Sequence, residues 1–296
     1  MQYYSPLRYP GGKRKLTHFF KLLLAKNDLV DGEYVEVYAG GAAVALGLLF
    51  DQYVSRVQIN DLDRGVHAFW DAALSATDDL CMRIREVPLT IAEWERQRAV
   101  YEADAPEPLD LALATFYLNR TNRSGIITGG VIGGKDQTGD WGLDARFNKD
   151  NLIRRIEKIG RFSSQIRLHN LDAIDFLDQV ASTLPARSLT YIDPPYFVKG
   201  KRMLYANFYG DDDHATVAER VRSLRTPWVV SYDNAKEIRS LYEGEALIEY
   251  DISYSAQDRY KGDEVAFFSA DITVPDVEDP GRIRKPEFKR LEAALD

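Results

Sequence analysis

Short apolar runs rich in β-branched or aromatic residues recur in the first and last parts of the chain, at Tyr34–Tyr38, Arg56–Asn60, Gln165–His169, Ser188–Ile192 and Pro227–Ser231. Each is bounded by small or polar residues, which predicts strands. The stretches Gly41–Phe50, Ala173–Ala181 and Ala215–Leu224 between them have helical character. This alternation predicts βα units, and so an open, mostly parallel sheet covered by helices. Leu247–Tyr254 and Glu264–Ala270, joined by the polar segment SAQDRYKGD, predict an antiparallel hairpin that closes the sheet.

The alternation stops between Arg64 and Asp150. Helices are predicted there at Ile91–Tyr101 and Leu109–Leu118, followed by the glycine-rich stretch NRTNRSGIITGGVIGGKDQTGDWG. A stretch of this length without regular structure is uncommon in a compact domain unless it is functional. The expected organisation is a discontinuous α/β domain from residues 1–63 and 151–273, an inserted and mainly helical domain over 64–150, and a peripheral extension over 274–296 with a short last helix. No internal repeat is visible.

Composition narrows the class. With 45% hydrophobic and 28% charged residues the chain reads as an ordinary globular protein, not a collagen-like or disordered one. Its one cysteine, Cys81, excludes an internal disulfide framework and a cysteine-rich zinc site, and fits a reducing cytoplasm. The longest apolar stretch, Ala39–Phe50, is too short to span a bilayer, and the amino terminus lacks the apolar core of a secretory signal. The net charge of −8 argues against a nucleic-acid partner until its distribution is considered. Residues 1–27 carry six basic and no acidic side chains, so this segment is +6 and the remainder −14. Such a segment is either a solvated basic helix or a surface for phosphates.

Three motifs could carry chemistry. Asp193-Pro194-Pro195-Tyr196 directly follows a predicted strand, and in open α/β sheets the carboxyl ends of strands are where ligands bind. Two prolines fix φ and leave carbonyls without neighbouring N–H groups, so the turn is a rigid acceptor array with a carboxylate before it and an aromatic face after it. It suits a planar ligand bearing an amino group. Glu36-Val37-Tyr38-Ala39-Gly40-Gly41-Ala42-Ala43 reads as a strand, a tight turn of small residues and a helix start, where a backbone can approach a cofactor closely. The next strand ends at Asn60-Asp61-Leu62-Asp63, and an acid there is suited to ribose hydroxyls or, equally, to capping the following helix. Arg8-Tyr9-Pro10-Gly11-Gly12-Lys13 resembles a phosphate loop but lacks the spacing of an NTPase loop.

The order PGGK, YAGGA, NDLD, NRTNRSG, LDAIDFL and DPPY resembles the DNA adenine N6-methyltransferases of the Dam type over roughly residues 5 to 270. The resemblance implies an AdoMet-dependent methyltransferase sheet with an inserted target-recognition domain. It implies S-adenosylmethionine as cofactor, double-stranded DNA as partner, and room for a cognate restriction nuclease beside it. The implied cofactor-binding residues are Tyr9, Pro10, Gly11, Gly12, Lys13, Tyr38, Ala39, Gly40, Asp61, Asp172, Phe176 and Asp193. The implied catalytic residues are Asp193, Pro194, Pro195 and Tyr196, with Tyr196 stacking on an extruded adenine. Within the insert, Asn119, Arg120, Asn122, Arg123, Lys135 and Arg146 would meet base edges or phosphates. His18, His67, His169 and His214 are read as structural or surface residues. Two departures stand out. Ala42 replaces a glycine, which fits only if the turn does not need positive φ there. IITGGVIGG replaces the basic residues of GATC-methylating members, so that target does not transfer. A catalytically silent DNA-binding module and an amino-methyltransferase acting on RNA or a protein amide remain open alternatives.

Overall fold

The computed structural model describes residues 3–9, 11–195, 197, 210–253 and 261–295. Seven strands make one sheet: β1 (Gly32–Glu36), β2 (Val54–Asn60), β3 (Ile166–His169), β4 (Ser188–Ile192), β5 (Trp228–Asp233), β6 (Ala246–Ser253) and β7 (Lys261–Phe268). Their spatial order is β3-β2-β1-β4-β5-β7-β6. The first five are mutually parallel, and β7 runs antiparallel to both β5 and β6. All five strands predicted from apolar runs are present, as is the closing hairpin, whose second strand starts at Lys261, inside the segment expected to connect it; residues 254–260 lie outside the described residues.

Among the described residues the helices are α1 (Thr17–Lys26), α2 (Ala43–Phe50), α3 (Arg64–Ser75), α4 (Thr77–Glu86), α5 (Ile91–Glu102), α6 (Pro108–Thr121), α7 (Lys149–Arg161), α8 (Ala173–Gln179), α9 (Asp211–Arg222), α10 (Lys236–Leu241) and α11 (Lys285–Glu292). Strand side chains alternate between two buried clusters, as the period of two requires. Val229, Ala266 and Phe268 join one, while Val230, Val265 and Phe267 join the other. The first cluster continues into the insert without a break. Phe69 of α3 stacks on Phe116 of α6 at 5.6 Å, Phe147 meets Phe116 edge-on at 5.3 Å, and all three share a cluster with Phe20 and Tyr34.

The basic amino-terminal segment is not a solvated helix. Residues Thr17 to Leu24 of α1 are buried, and Lys21 reaches Asp51 at 2.5 Å. Helix α4 was not expected from sequence, whereas α3 follows the cap that the NDLD segment offered and is set by Asp63, which accepts from Gly65 N and Val66 N at 2.8 and 2.9 Å. Among the described residues no helix is long and apolar enough to cross a membrane. Functionally, the important feature is the register. Glu36 sits beside Ile59 on one side and Tyr191 on the other, so the chain segments that follow β1, β2 and β4 emerge together. From β1 the chain goes on to β2 on one flank while β4 lies on the other, which is the switch point where open α/β sheets bind ligands.

Candidate active site

The turn after β1 is built by tension between small residues and their neighbours. Gly40 has φ +46°, and a Cβ there would lie 2.9 Å from the Tyr9 ring, so a side chain would be both strained and crowded. The Gly40 N–H donates to Asp61 Oδ2 at 2.8 Å, and the Gly40 carbonyl accepts from Trp70 Nε1 at 2.9 Å. Ala42 has φ +45°. The expectation that its methyl sits where φ is negative is therefore corrected: the turn does need the left-handed region, at a cost of about 1–2 kcal/mol for a residue with a Cβ. As N-cap of α2, Ala42 has no side-chain acceptor to offer. Glu36 supplies it from the end of β1, with Oε1 accepting from Ala45 N at 2.9 Å. Burial pushes the Glu36 carboxyl up to about 8; the Ala45 bond opposes this and the Asp193 charge adds to it.

The end of β2 ties the neighbouring turns together. Asn60 donates to the carbonyls of Val37 and Leu171, both at 3.0 Å, and accepts from Leu171 N at 2.9 Å. Asp61 accepts one backbone N–H on each oxygen, from Gly40 and, at 3.0 Å, from Asp63. Of the two readings open for this NDLD segment, Asp63 takes the helix cap and Asp61 braces the glycine turn. Burial pushes the Asp61 carboxyl up to about 7 against those two hydrogen bonds. After β3, Asp172 caps α8 through Ile174 N at 2.9 Å, and Phe176 is fully buried with its ring edge-on to His169 at 5.2 Å.

Asp193 follows β4 and is gripped from two sides. Lys13 Nζ donates to Oδ1 at 2.7 Å and Oδ2 at 2.8 Å, and Ser231 Oγ on β5 donates to Oδ1 at 2.6 Å. Ser231 is in turn set by Tyr191 OH at 2.6 Å, and Lys13 also faces the buried Glu264 of β7 at 3.6 Å. A carboxylate has about four acceptor sites, so one on Oδ2 remains unclaimed among the described residues. Pro194 and Pro195 add carbonyls and no N–H. Lys13 reaches this position because Gly11, at φ +77°, turns the chain, and Gly12 N closes that turn on the Tyr9 carbonyl at 3.1 Å. Pro10 and Tyr196, both assigned to the site from sequence, lie outside the described residues. The fold thus brings Tyr9 onto Gly40, Gly40 onto Asp61 and Lys13 onto Asp193 at the carboxyl ends of β1, β2 and β4, where an open sheet leaves a crevice for ligands; Tyr38 and Ala39 lie in the turn after β1. Sequence alone did not single out Trp70 or Ser231, nor the capping role of Glu36; their only signal is spatial.

The six insert residues separate by environment. Asn119 is buried and pairs with the backbone of Arg8, accepting from its N–H at 2.7 Å and donating to its carbonyl at 2.6 Å. Asn122 is buried too, accepting from Trp94 Nε1 at 2.7 Å and donating to the carbonyls of Ile126 and Ile127. Both amides are used up inside the fold. Backbone bonds from Arg123 N to Gly130 O and from Ile132 N to Thr121 O close the loop they shape, and Arg123 is exposed on it. Lys135 pairs with Glu95 at 2.8 Å on the surface. Arg120 is half-buried against the Arg146 carbonyl, and the exposed Arg146 lies over the Trp141 ring at 5.9 Å.

Residues 9–255 match the family described as D12 class N6 adenine-specific DNA methyltransferase. No curated protein matches the chain. Similar solved structures include a Pyrococcus horikoshii protein described as a candidate RNA methyltransferase, 10% identical over 89% of this chain and 85% of that one with a TM-score of 0.43. Another is the type I restriction-modification system methyltransferase subunit of Streptococcus thermophilus, 9% identical over 99% of this chain and 54% of that one with a TM-score of 0.41. A third is the rRNA methyltransferase aviRa of Streptomyces viridochromogenes, 15% identical over 89% and 88% with a TM-score of 0.38. The family match, and not these distant likenesses, carries the assignment: the chain belongs to the D12 class N6 adenine-specific DNA methyltransferases, enzymes that methylate adenine in DNA with S-adenosylmethionine as the methyl source.

Proposed function

We infer that the crevice holds S-adenosylmethionine on its β1–β2 side and an extruded adenine on its β4 side, with Asp193 acting on the adenine amino group. The observation that supports this is the Asp193 carboxylate, fixed by Lys13 and Ser231 with one acceptor site on Oδ2 unclaimed among the described residues. The residues fit the cofactor. The turn at Gly40 disfavours a side chain, and Asp61 keeps acceptor capacity on both oxygens for a pair of ribose hydroxyls. Tyr9 packs against that turn; with Gly11, Gly12 and Lys13, which follow it in the chain, it would hold the cofactor, and Asp172 and Phe176 would bound the cofactor adenine. When bound, S-adenosylmethionine supplies a methyl group already activated by its sulfonium.

The task left to the chain is the nitrogen. Adenine N6 is a poor nucleophile because its lone pair is delocalised into the ring. Directing its two N–H groups to Asp193 Oδ2 and the Pro194 carbonyl favours a tetrahedral nitrogen with the lone pair freed. Both hydrogen bonds strengthen as positive charge builds on N6, so they stabilise the transition state more than the ground state. Asp193 Oδ2 holds the proton that N6 releases before it passes to water. Lys13 and Ser231 keep the carboxylate in one orientation, so no reorganisation is needed at the moment of transfer. A stacked adenine cannot reach this site, and rotation of the nucleotide out of the duplex meets that need. Tyr196 is the residue assigned to stack on it. The insert over residues 64–150 reads the surrounding DNA through Arg120, Arg123, Lys135 and Arg146, on a loop shaped by Asn119 and Asn122. Single-molecule sequencing of DNA from cells expressing the chain tests the whole reading: N6-methyladenine at one short motif is expected, and unmodified DNA with methylated RNA or protein would overturn it.

Two narrower outcomes follow from particular residues. Asp61→Ala is expected to weaken cofactor binding by on the order of 1 to 3 kcal/mol, the range of a hydrogen bond to a charged group. Because the free carboxyl is raised to about 7, the acceptor form grows as pH rises through that value. Cofactor affinity should therefore increase from pH 6 to pH 8 with release of a proton, read by calorimetry in buffers of different ionisation heat; a flat profile would remove Asp61 from the ribose. Arg123→Ala should relax preference at one base pair if the contact is a guanine edge, or weaken all duplexes alike if it is a phosphate. Unchanged affinity and site choice would take Arg123 out of the interface.

A further inference from the structure

Four arginines from three parts of the chain converge where residues 5–8 cross the insert. Arg8 donates from Nη1 to the Asn122 carbonyl at 3.2 Å. Arg120 donates from Nε to the Arg146 carbonyl at 2.7 Å and from Nη1 to the Pro6 carbonyl at 3.4 Å. Arg155 of α7 donates from Nη1 to the Ser5 carbonyl at 2.9 Å. Arg8, Arg120 and Arg155 are half-buried, Arg146 is exposed, and among the described residues none of the four pairs with a carboxylate. The contrast with the interior lysines is direct: Lys13 and Lys21 each face an acid.

Concentrating four like charges in a partly desolvated place costs free energy unless an anion offsets it. Burial first, and then the charges of Arg8, Arg155 and Arg146, push the Arg120 guanidinium down to about 9. The chain nevertheless holds the group rigidly. Asn119 clamps both backbone groups of Arg8, and a Cβ at Gly125 would come within 2.5 Å of the Arg8 carbonyl, so the segment is seated against the loop. Arg8 and Arg155 each commit one of five N–H donors to a backbone carbonyl, which leaves the planar forks able to take phosphate oxygens. Arg8 also immediately precedes Tyr9 and stands five residues before Lys13, next to the crevice.

We propose that Arg8, Arg120, Arg146 and Arg155 form a clamp for the sugar-phosphate backbone of the duplex beside the extruded adenine, so that the DNA-binding surface extends beyond the insert onto the amino-terminal segment and α7. The clamp rests on the reading that the insert faces DNA. It resolves the charge paradox of the sequence: an acidic chain binds a polyanion through a local cluster that its carboxylates leave unneutralised.

The test uses the full chain and random-sequence duplex DNA titrated over a range of salt concentrations. Arg155→Gln and Arg8→Gln are each expected to lower affinity roughly ten-fold at moderate salt and to reduce the slope of log affinity against log salt by about one. Arg155→Lys, which keeps the charge, should retain most of the slope. S-adenosylmethionine affinity without DNA and the urea midpoint of unfolding should match the parent, which places the loss in DNA binding and not in folding. An unchanged salt slope in Arg155→Gln and Arg8→Gln, with cofactor binding intact, would overturn the clamp while leaving the Asp193 reading untouched. Weakening confined to one base position would overturn it in favour of base readout, and a parent chain that binds no duplex would overturn both the clamp and the recognition role of the insert.

Discussion

Asp193→Ala is expected to slow single-turnover methyl transfer by on the order of a hundred-fold or more, the effect of removing one preorganised transition-state hydrogen bond. Duplex binding should survive, since the variant leaves the insert and the arginine cluster intact. The fold should survive as well, for a reason visible in the site. Lys13 loses its contacts at 2.7 and 2.8 Å but still faces Glu264 at 3.6 Å, so its charge does not become an uncompensated one in the interior. Rapid-quench measurement with cofactor and DNA both saturating separates the chemical step from binding. A folded variant that transferred methyl at the parental rate would leave Asp-Pro-Pro-Tyr as a structural turn.

Lys13→Met is expected to act in the opposite sense, on stability first. It removes the lysine that Asp193 and the fully buried Glu264 share, close to a third carboxyl at Glu36. Removing one partner of a buried pair costs about 3–5 kcal/mol, and the partial exposure of Asp193 puts the expected loss at the lower end, on the order of 3 kcal/mol at pH 8. The sign of the pH dependence follows from linkage. Without Lys13 the folded variant gains more than its unfolded chain does when a carboxylate takes up a proton, so its deficit relative to the parent should shrink as pH is lowered from 8 to 5. Urea unfolding at the two pH values reads both numbers. Equal stability of variant and parent at pH 8 would show that the ion pair contributes nothing net.

The strands and the hairpin were legible because strands buried on both faces read as unbroken apolar runs, and β1, β4 and β5 are buried at every position. The Asp193 turn and the glycine turn were legible for a different reason: chemistry at a strand's carboxyl end is local in sequence. The βα alternation stops where the insert was expected to begin, yet the buried cluster runs across that point, since packing between elements distant in sequence is not written in the order of strands and helices. Helices α4 and α7 were not expected although their buried positions recur at helical spacing, Leu80, Cys81 and Ile84 in one and Leu152, Ile153, Ile156 and Ile159 in the other.

Sequence by itself determined the sheet and the family, because each is written in contiguous residues, and it singled out Asp193 as the acid proposed to meet the substrate. Only the tertiary structure decided what each side chain is for. It turned Asn119 and Asn122 from surface amides into internal braces, made Asp63 a cap and Asp61 a brace, put Ala42 in the left-handed region, and set Lys13 against Asp193 across 180 residues. Hydrogen bonds and ion pairs act over about 3 Å in space without regard to distance along the chain. Their partners are therefore fixed only when the sheet brings the ends of β1, β2, β4 and β5 side by side.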